Sequence, residues 1–406
     1  MNIINTMQLL LAVIKQGGII AKDALRDISG GSLSYNPDVV MQPDYLSAII
    51  NRYGVEPLST AVDISAIERL AIPSISSNCN NTVIRLQQSP DSQLPDRLFI
   101  KLPSPSLLTH LFINLVGAWK VEAYFCRHIA HTLPIRTPKN YAVATQGSRF
   151  CLVQEDLNSD PSVTLFTNFT MLAGPSITQA KQCLDTFARL HALHYAMSET
   201  ERLKILPLDH HPFFGQSMRI VARAINGIAL APCLKKHPDS MTAAQVKLFK
   251  NTLANWDTLA AYWFSGPLSL CHGDSHLGNF FVSADEMGML DFQGLHWGNG
   301  IRDVQYFLIN SLPADTLAKH ERELVRHYVE RRRAHGTAID LDTTWQQYRS
   351  FTFHTWMTMV VSIGLAAMNK EQDELMTEML ARAVAAIERV DYARWFEKFI
   401  GGKTQS

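Results

Sequence analysis

The chain has no surplus of either charge: its 406 residues hold 37 Lys+Arg against 37 Asp+Glu, for a formal net charge of zero. Nucleic-acid and membrane-surface binders usually carry a basic excess, so neither class is supported. The sequence also lacks a CxxC pair. Its six cysteines (Cys79, Cys126, Cys151, Cys183, Cys233, Cys271) are scattered through a chain too long to need disulfide staples, and they read as reduced thiols of a cytoplasmic protein. Long hydrophobic runs are missing too. The best, Trp356–Met368, is about 13 residues and contains Thr358 and Ser362, against the roughly 20 that a membrane span needs. The stretch Met7–Ile14 has no basic residue before it and no small-residue cleavage site after it, so it reads as an amphipathic helix rather than a signal peptide. No GxSxG elbow and no HExxH helix occurs, which leaves hydrolase readings without support.

What is present is core material: 47% of the residues are apolar, enough for a large globular protein of two to three domains by the length prior of about 150 residues each. Residues 1–42 read as a helical extension ending in the turn-rich ISGGSLSYNPD. Thr82–Gln87 and Arg97–Leu102 are runs of β-branched and large apolar residues around SPDSQLPD, the pattern of a hairpin. A helix is expected over Leu107–His131, then strands at Asn140–Thr145 and Arg149–Glu155. Beyond NSDPS the apolar period becomes helical, over Ile177–Met197, Thr242–Phe264, Asp303–Leu312, Asp315–His335, Thr343–Met368 and Glu371–Phe399. The organisation expected is an extension (1–42), a small β-rich half (43–155) and a larger helical half (156–406), an α+β chain.

The chemistry concentrates in SLCHGDSHLGNFFVSADEMGMLDFQ, which interrupts the helical half. His272 and Asp274 form His-x-Asp, Asn279 follows five residues later, and Asp291 heads an Asp-Phe seventeen residues after Asp274. Phosphoryl-transfer enzymes of the protein-kinase type use such a set: one Asp accepts the acceptor hydroxyl's proton, while an Asn and a second Asp hold magnesium. A carboxylate is the right base at neutral pH, and magnesium prefers oxygen ligands while needing only one or two from the protein. HGDSHLGN would also suit a plain turn, since Gly, Asp and Asn favour turns. In the β-rich half, Lys101 ends an alternating strand, RLFIKL, and Glu122 lies on an apolar helix stripe with Leu115, Ala118, Trp119 and Cys126. A carboxylate there calls for a cation, and Lys101 is the candidate; the alternative has Lys101 snorkelling and Glu122 solvated.

On these residues the sequence resembles the kinase-like small-molecule phosphotransferases: aminoglycoside phosphotransferases, choline kinases and the ecdysteroid kinase-like group. The matching segments are FIKLP (99–103), VEAYF (121–125), LVQEDL (152–157), FARLHALH (187–194), HGDSHLGN (272–279), LDFQ (290–293) and GNGIRDVQYFL (298–308). HGD with DFQ is nearer the ecdysteroid kinase-like branch than choline kinases, which usually carry HND and DFE. The resemblance implies a protein-kinase-like bilobal fold, ATP (or GTP) with Mg2+ as cofactors, and a small hydroxylated acceptor, with neither nucleic acid nor membrane insertion. It implies that Lys101 binds nucleotide phosphates and pairs with Glu122, and that Gln154, Glu155, Asp156 and Leu157 form the hinge beside adenine. Asp274 is then the base, braced by His272; Asn279 and Asp291 hold the metal; and Asp303 braces the loop, besides suiting a helix N-cap. The loop before TVIRLQ, IPSISSNCNN, has no glycine where protein kinases carry a Gly-rich phosphate cover. That departure keeps open a rival reading, a catalytically weak pseudokinase acting as a nucleotide-binding or scaffold protein.

Several signals are set aside. GGKT (401–404) lacks the upstream glycine and following helix of a phosphate loop. His210 and His211 beside Asp209 have no further ligand at ordinary spacing. His191, on a stripe with Leu184, Phe187 and Ala188, reads as a hydrogen-bonded core histidine, with a catalytic role as the alternative. Trp345, Tyr348, Phe351, Trp356, Met357 and Met359 are candidate acceptor-pocket residues, most of them expected to be core.

Overall fold

The computed structural model describes every residue except 1–2, 29–31, 56–59, 72–78, 90, 168, 208–218, 367 and 404–406. Residues 72–78 of the glycine-free loop and the His210–His211 pair therefore lie outside the described residues, while the loop's last three residues, Cys79 to Asn81, open a strand. Contacts divide the chain into a first unit, Met1–Leu165 with Val282–Ala284, and a second unit, Phe166–Phe281 with Asp285–Ser406.

The first unit begins with α1 (Ile3–Ile28), α2 (Pro37–Val40) and α3 (Pro43–Tyr53). Its five-stranded antiparallel sheet comprises β1 (Ile64–Leu70), β2 (Cys79–Gln88), β3 (Arg97–Pro103), β4 (Asn140–Gln146) and β5 (Arg149–Glu155), in the order β1-β2-β3-β5-β4. Alternation assigns the faces. Leu98, Ile100 and Leu102 join Ile84, Leu86 and Val153 in a core closed by Leu46, Ile49 and Ile50 of α3. Lys101, with the opposite parity, points to the other face. The single helix expected over Leu107–His131 is two, α4 (Leu107–Val116) and α5 (Ala118–His128), because Gly117 adopts a left-handed φ of 73° that caps one and opens the other. Trp119 of α5 stacks on Phe150 of β5 at 5.5 Å.

The residues expected to be a separate extension are tied into this unit. Asp23 of α1, 1% exposed, accepts the Ser148 N–H and hydroxyl at 2.6 Å each, and Asp27 receives two guanidinium bonds from Arg149 at 2.5 and 2.6 Å.

After β6 (Val163–Leu165), the second unit holds α6 (Thr170–Ala173), α7 (Ile177–Ala192), α8 (Glu199–Ile205), α9 (Arg219–Lys236), α10 (Ala243–Ala254) and α11 (Trp256–Trp263). Short strands β7 (Ser269–Cys271), β8 (Phe280–Ser283), β9 (Glu286–Met289) and β10 (His296–Gly298) carry the motif region. Five helices complete the chain: α12 (Ile301–Ser311), α13 (Ala314–Ala334), α14 (Leu341–Leu365), α15 (Lys370–Arg389) and α16 (Tyr392–Lys403). Two further expected helices are broken, at Asn255 and at Asp391, where φ reaches 51°. Helix α14 is the hub, packing against α9, α12 and α15. The six candidate acceptor residues all lie on α14 and all are buried: Trp345 stacks on Tyr348, whose hydroxyl donates to Glu321, and Trp356 packs on Phe249. All six are part of the buried core of the helical unit. No described helix is long and apolar enough to cross a membrane.

Candidate functional site

The motif loop hangs from a two-stranded ladder. β7 pairs antiparallel with β10, Cys271 opposite His296, so the chain leaving β7 at His272 runs beside the chain entering β10 from Asp291. The two meet at glycines. Gly273 has φ 91°, and a Cβ there would overlap the Gly294 backbone, well under the 3.0 Å that real Cβ atoms keep. Both features require glycine at 273.

Asp303, fully buried, organises the loop. Its carboxylate accepts the N–H of His272 at 2.6 Å and of Gly273 at 3.1 Å, and its backbone oxygen accepts the Ser275 hydroxyl at 2.9 Å. Arg302 donates to Asp303 at 3.0 Å and to Gly273 O at 2.7 Å, and its guanidinium meets Nε2 of buried His354 at 2.9 Å. Burial alone would raise the Asp303 pKa; the hydrogen bond from His191 and the charge of Arg302 outweigh it and hold the group well below the carboxylate range. Asp303 does not cap its helix: Gly300 occupies that position, and Asp303 is the third residue of α12. His191 is 0% exposed, stacks on Phe187 and bridges Asp303 Oδ2 (3.1 Å) to the Tyr328 hydroxyl (2.9 Å). Burial keeps its pKa low, so it is a neutral core histidine donating to Asp303. With Cys271 these residues form the one close three-ligand cluster found among the described residues, and its His and Asp are already spent on hydrogen bonds.

His272 closes the loop from inside. Its Nδ1 accepts the Asp274 N–H at 3.2 Å and its Nε2 donates to Leu290 O at 2.9 Å, a neutral tautomer consistent with a pKa lowered chiefly by burial. Asn279 donates Nδ2 to Asp274 O at 2.7 Å, and its backbone oxygen accepts the Leu290 N–H at 3.0 Å. These bonds set the loop beside Asp291, which adopts φ 62°, ψ 64°, a left-handed conformation that an L-residue holds only at a cost of about 1–2 kcal/mol. The Asp274 side chain is 30% exposed, with His276 Nε2 3.8 Å away and Gln293 donating at 3.4 Å.

Four residues of this site carried no assigned role in the sequence reading, although each sits inside or beside a quoted segment: Gln293, Gly294, Arg302 and Tyr306. The Tyr306 hydroxyl is buried beside Asp274; burial first, then that negative charge, hold its pKa well above the usual value, so it faces the carboxylate as a donor. One turn of α12 presents Asp303 and Tyr306, at a spacing of three, to the same loop.

In the first unit Lys101 Nζ meets Glu122 Oε1 at 2.7 Å with both side chains buried, which excludes the snorkelling alternative. The expected hinge has its side chains turned to structural work. Gln154 donates to Asn140 at 2.7 Å, Glu155 receives Arg136 at 2.6 Å, buried Asp156 pairs with Arg97 at 2.6 Å and caps the turn that Leu157 begins. A role for this segment would therefore use its backbone.

Asn279 and Asp291 offer oxygen donors of the kind magnesium takes, and since the Asn279 nitrogen is committed to Asp274 O, its oxygen is the atom that would face a metal. The donor chemistry fits.

An antiparallel five-stranded unit, a helical unit and this loop define the class of kinase-like small-molecule phosphotransferases. The chain belongs to the ecdysteroid kinase-like family, whose sequence profile matches residues 134–339. Among solved structures, a Ralstonia eutropha JMP134 protein named for the aminoglycoside phosphotransferases is 13% identical over 86% of this chain and 98% of its own, with a TM-score of 0.51, a likeness of fold. The choline kinase of Cryptosporidium parvum Iowa II is 10% identical, covering 89% of this chain and 97% of its own at a TM-score of 0.49. A choline/ethanolamine kinase family protein of Mesorhizobium loti is 13% identical over 82% and 92%, at 0.47. No curated protein gives a match to the chain.

Proposed function

We propose that the protein transfers the γ-phosphoryl group of ATP to a hydroxyl of a small molecule. The carrying observation is the loop closed by Asp303, which leaves the Asp274 carboxylate partly exposed while fixing the backbone on both sides of it. In this reading Asp274 takes the hydroxyl proton, the acceptor oxygen bonds to the γ-phosphorus, and the bond to the β–γ bridging oxygen breaks, releasing ADP. Asn279 and Asp291 hold magnesium, which supplies charge neutralisation at the phosphates. Lys101, paired with Glu122, binds phosphate oxygens, and the backbone of residues 154–157 meets the base. His272 and Asp303 position the loop. The gain comes from positioning and electrostatics, because phosphoryl transfer leaves the protein little covalent work.

The acceptor is a small hydroxylated molecule, in keeping with the ecdysteroid kinase-like family to which the chain belongs. The experiment is to incubate a metabolite extract with the protein, ATP and magnesium and to seek species heavier by one phosphate by mass spectrometry. Such a product supports transfer, whereas nucleotide binding without any product favours the pseudokinase reading.

A further inference from the structure

We propose that a second ligand site lies in the helical unit, where α11, α14 and α16 enclose a cleft of about 660 Å³ that takes an anion carried on a flat apolar body. Its wall is aromatic. Trp395 and Phe399, one turn apart on α16, stack with ring centroids 5.1 Å apart and an interplanar angle of 9°, and Tyr262 of α11 tilts against both at 6.0 and 5.1 Å. Its rim is cationic, formed by Arg349, Arg394 and Lys398.

The charges are arranged in a way that folding alone does not favour. Arg394 and Lys398 sit at i and i+4, where like charges destabilise a helix. Arg349 spends its guanidinium on neutral carbonyls, Val390 O and Asp391 O, at 2.7 Å each. Among the described residues none of the three forms a salt bridge, and the single acid lining the cleft is the exposed Asp391. Burial first lowers the Arg349 pKa; nearby Asp391 raises it, and the charges of Arg322 and Arg394 lower it further. In a chain of zero net charge, three cations over an aromatic wall is a segregated arrangement. An anion between them relieves the repulsion, and a ring or fused-ring body covers the half-buried Tyr262 and Phe399, with buried Trp395 packed against both, whereas a cationic molecule is repelled. The cleft shares no lining residue with the Asp274 loop, so it is a separate binding site.

The test is a fluorescence titration of the full chain with anilinonaphthalene sulfonate and with uncharged anilinonaphthalene. The site predicts one sulfonate bound at least about tenfold tighter than the neutral dye, since a charge-assisted contact is worth that much. It predicts loss of that preference in Arg394→Glu/Lys398→Glu, which alters exposed side chains only, and in high salt. Leu10→Gln/Leu11→Gln, on the exposed apolar stripe of α1, leaves the preference intact. Equal binding of the two dyes, an unchanged preference in the charge-reversed variant or in high salt, or its loss in the α1 variant overturns the proposal.

Discussion

Replacing Asp303 by Asn keeps the side chain's shape and removes its charge. In the native loop Oδ2 serves His272 N–H and His191 Nε2, while Oδ1 serves Gly273 N–H and Arg302. An amide has one accepting oxygen. If it serves Gly273 and Arg302, the amide nitrogen faces the His272 N–H at a native distance of 2.6 Å, donor against donor. His191 can change tautomer to accept, but the His272 N–H cannot, and a buried unmet donor costs about 1–3 kcal/mol. Arg302, 3% exposed, meanwhile loses its carboxylate, and breaking a buried pair costs about 3–5 kcal/mol. Gly273 O and His354 remain as neutral partners of Arg302, which trims the sum to about 4 kcal/mol. For a unit this size that lowers the melting temperature by about 8–16 °C, measured by circular dichroism at pH 7.5. A fall of under about 2 °C would refute the view that Asp303 holds the loop.

Gly273→Ala adds a Cβ that overlaps Gly294 O at a positive φ, so the loop must move by about an ångström; turnover is expected to fall at least a hundredfold while far-ultraviolet circular dichroism stays native. Tyr306→Phe removes a donor facing Asp274, and steady-state kinetics should show about a tenfold fall in kcat. Burial lowers the pKa values of His191, His296 (to about 3) and His354, so these groups stay neutral in the fold while their unfolded counterparts take up protons below about pH 6.5. Their contribution is complete above that pH and is lost as pH falls, at about 1.4 kcal/mol per unit for each fully protonated unfolded histidine. The melting temperature should be flat from pH 8 to 7 and drop steeply from 6.5 to 5; a flat profile throughout would contradict it.

Local signals carried well into the structure where neighbours in sequence are neighbours in space. β5 spans Arg149–Glu155, the bounds expected for it, and the alternation in RLFIKL places Lys101 on the sheet face opposite the α3 core. The helix breaks were hidden because apolar periodicity continues across Gly117, Asn255 and Asp391, and a single residue's φ ends a helix without altering the pattern. α9 carries little helical signal in its sequence, since Pro232 lies inside it. The motif residues of the loop could be read from their spacing. Gln293, Gly294 and Tyr306 could not be given roles, because each acts through a partner 19–32 residues away that only the fold supplies, and Arg302, besides its neighbour Asp303, works through Gly273 and His354, 29 and 52 residues away. The anchoring of α1 by Ser148 and Arg149 is the extreme case, spanning up to 125 residues. A glycine next to the Asp-Phe-Gln run was the one available hint for the Gly273–Gly294 approach.

Asp274→Asn is the most direct measurement of the central claim, because it removes the base and leaves the loop's backbone bonds in place. Calorimetry with ATP and magnesium should give a dissociation constant within about twofold of the parent protein, while phosphate transfer to the acceptor found by mass spectrometry falls at least a hundredfold. Transfer at the parent rate in that variant would contradict the account.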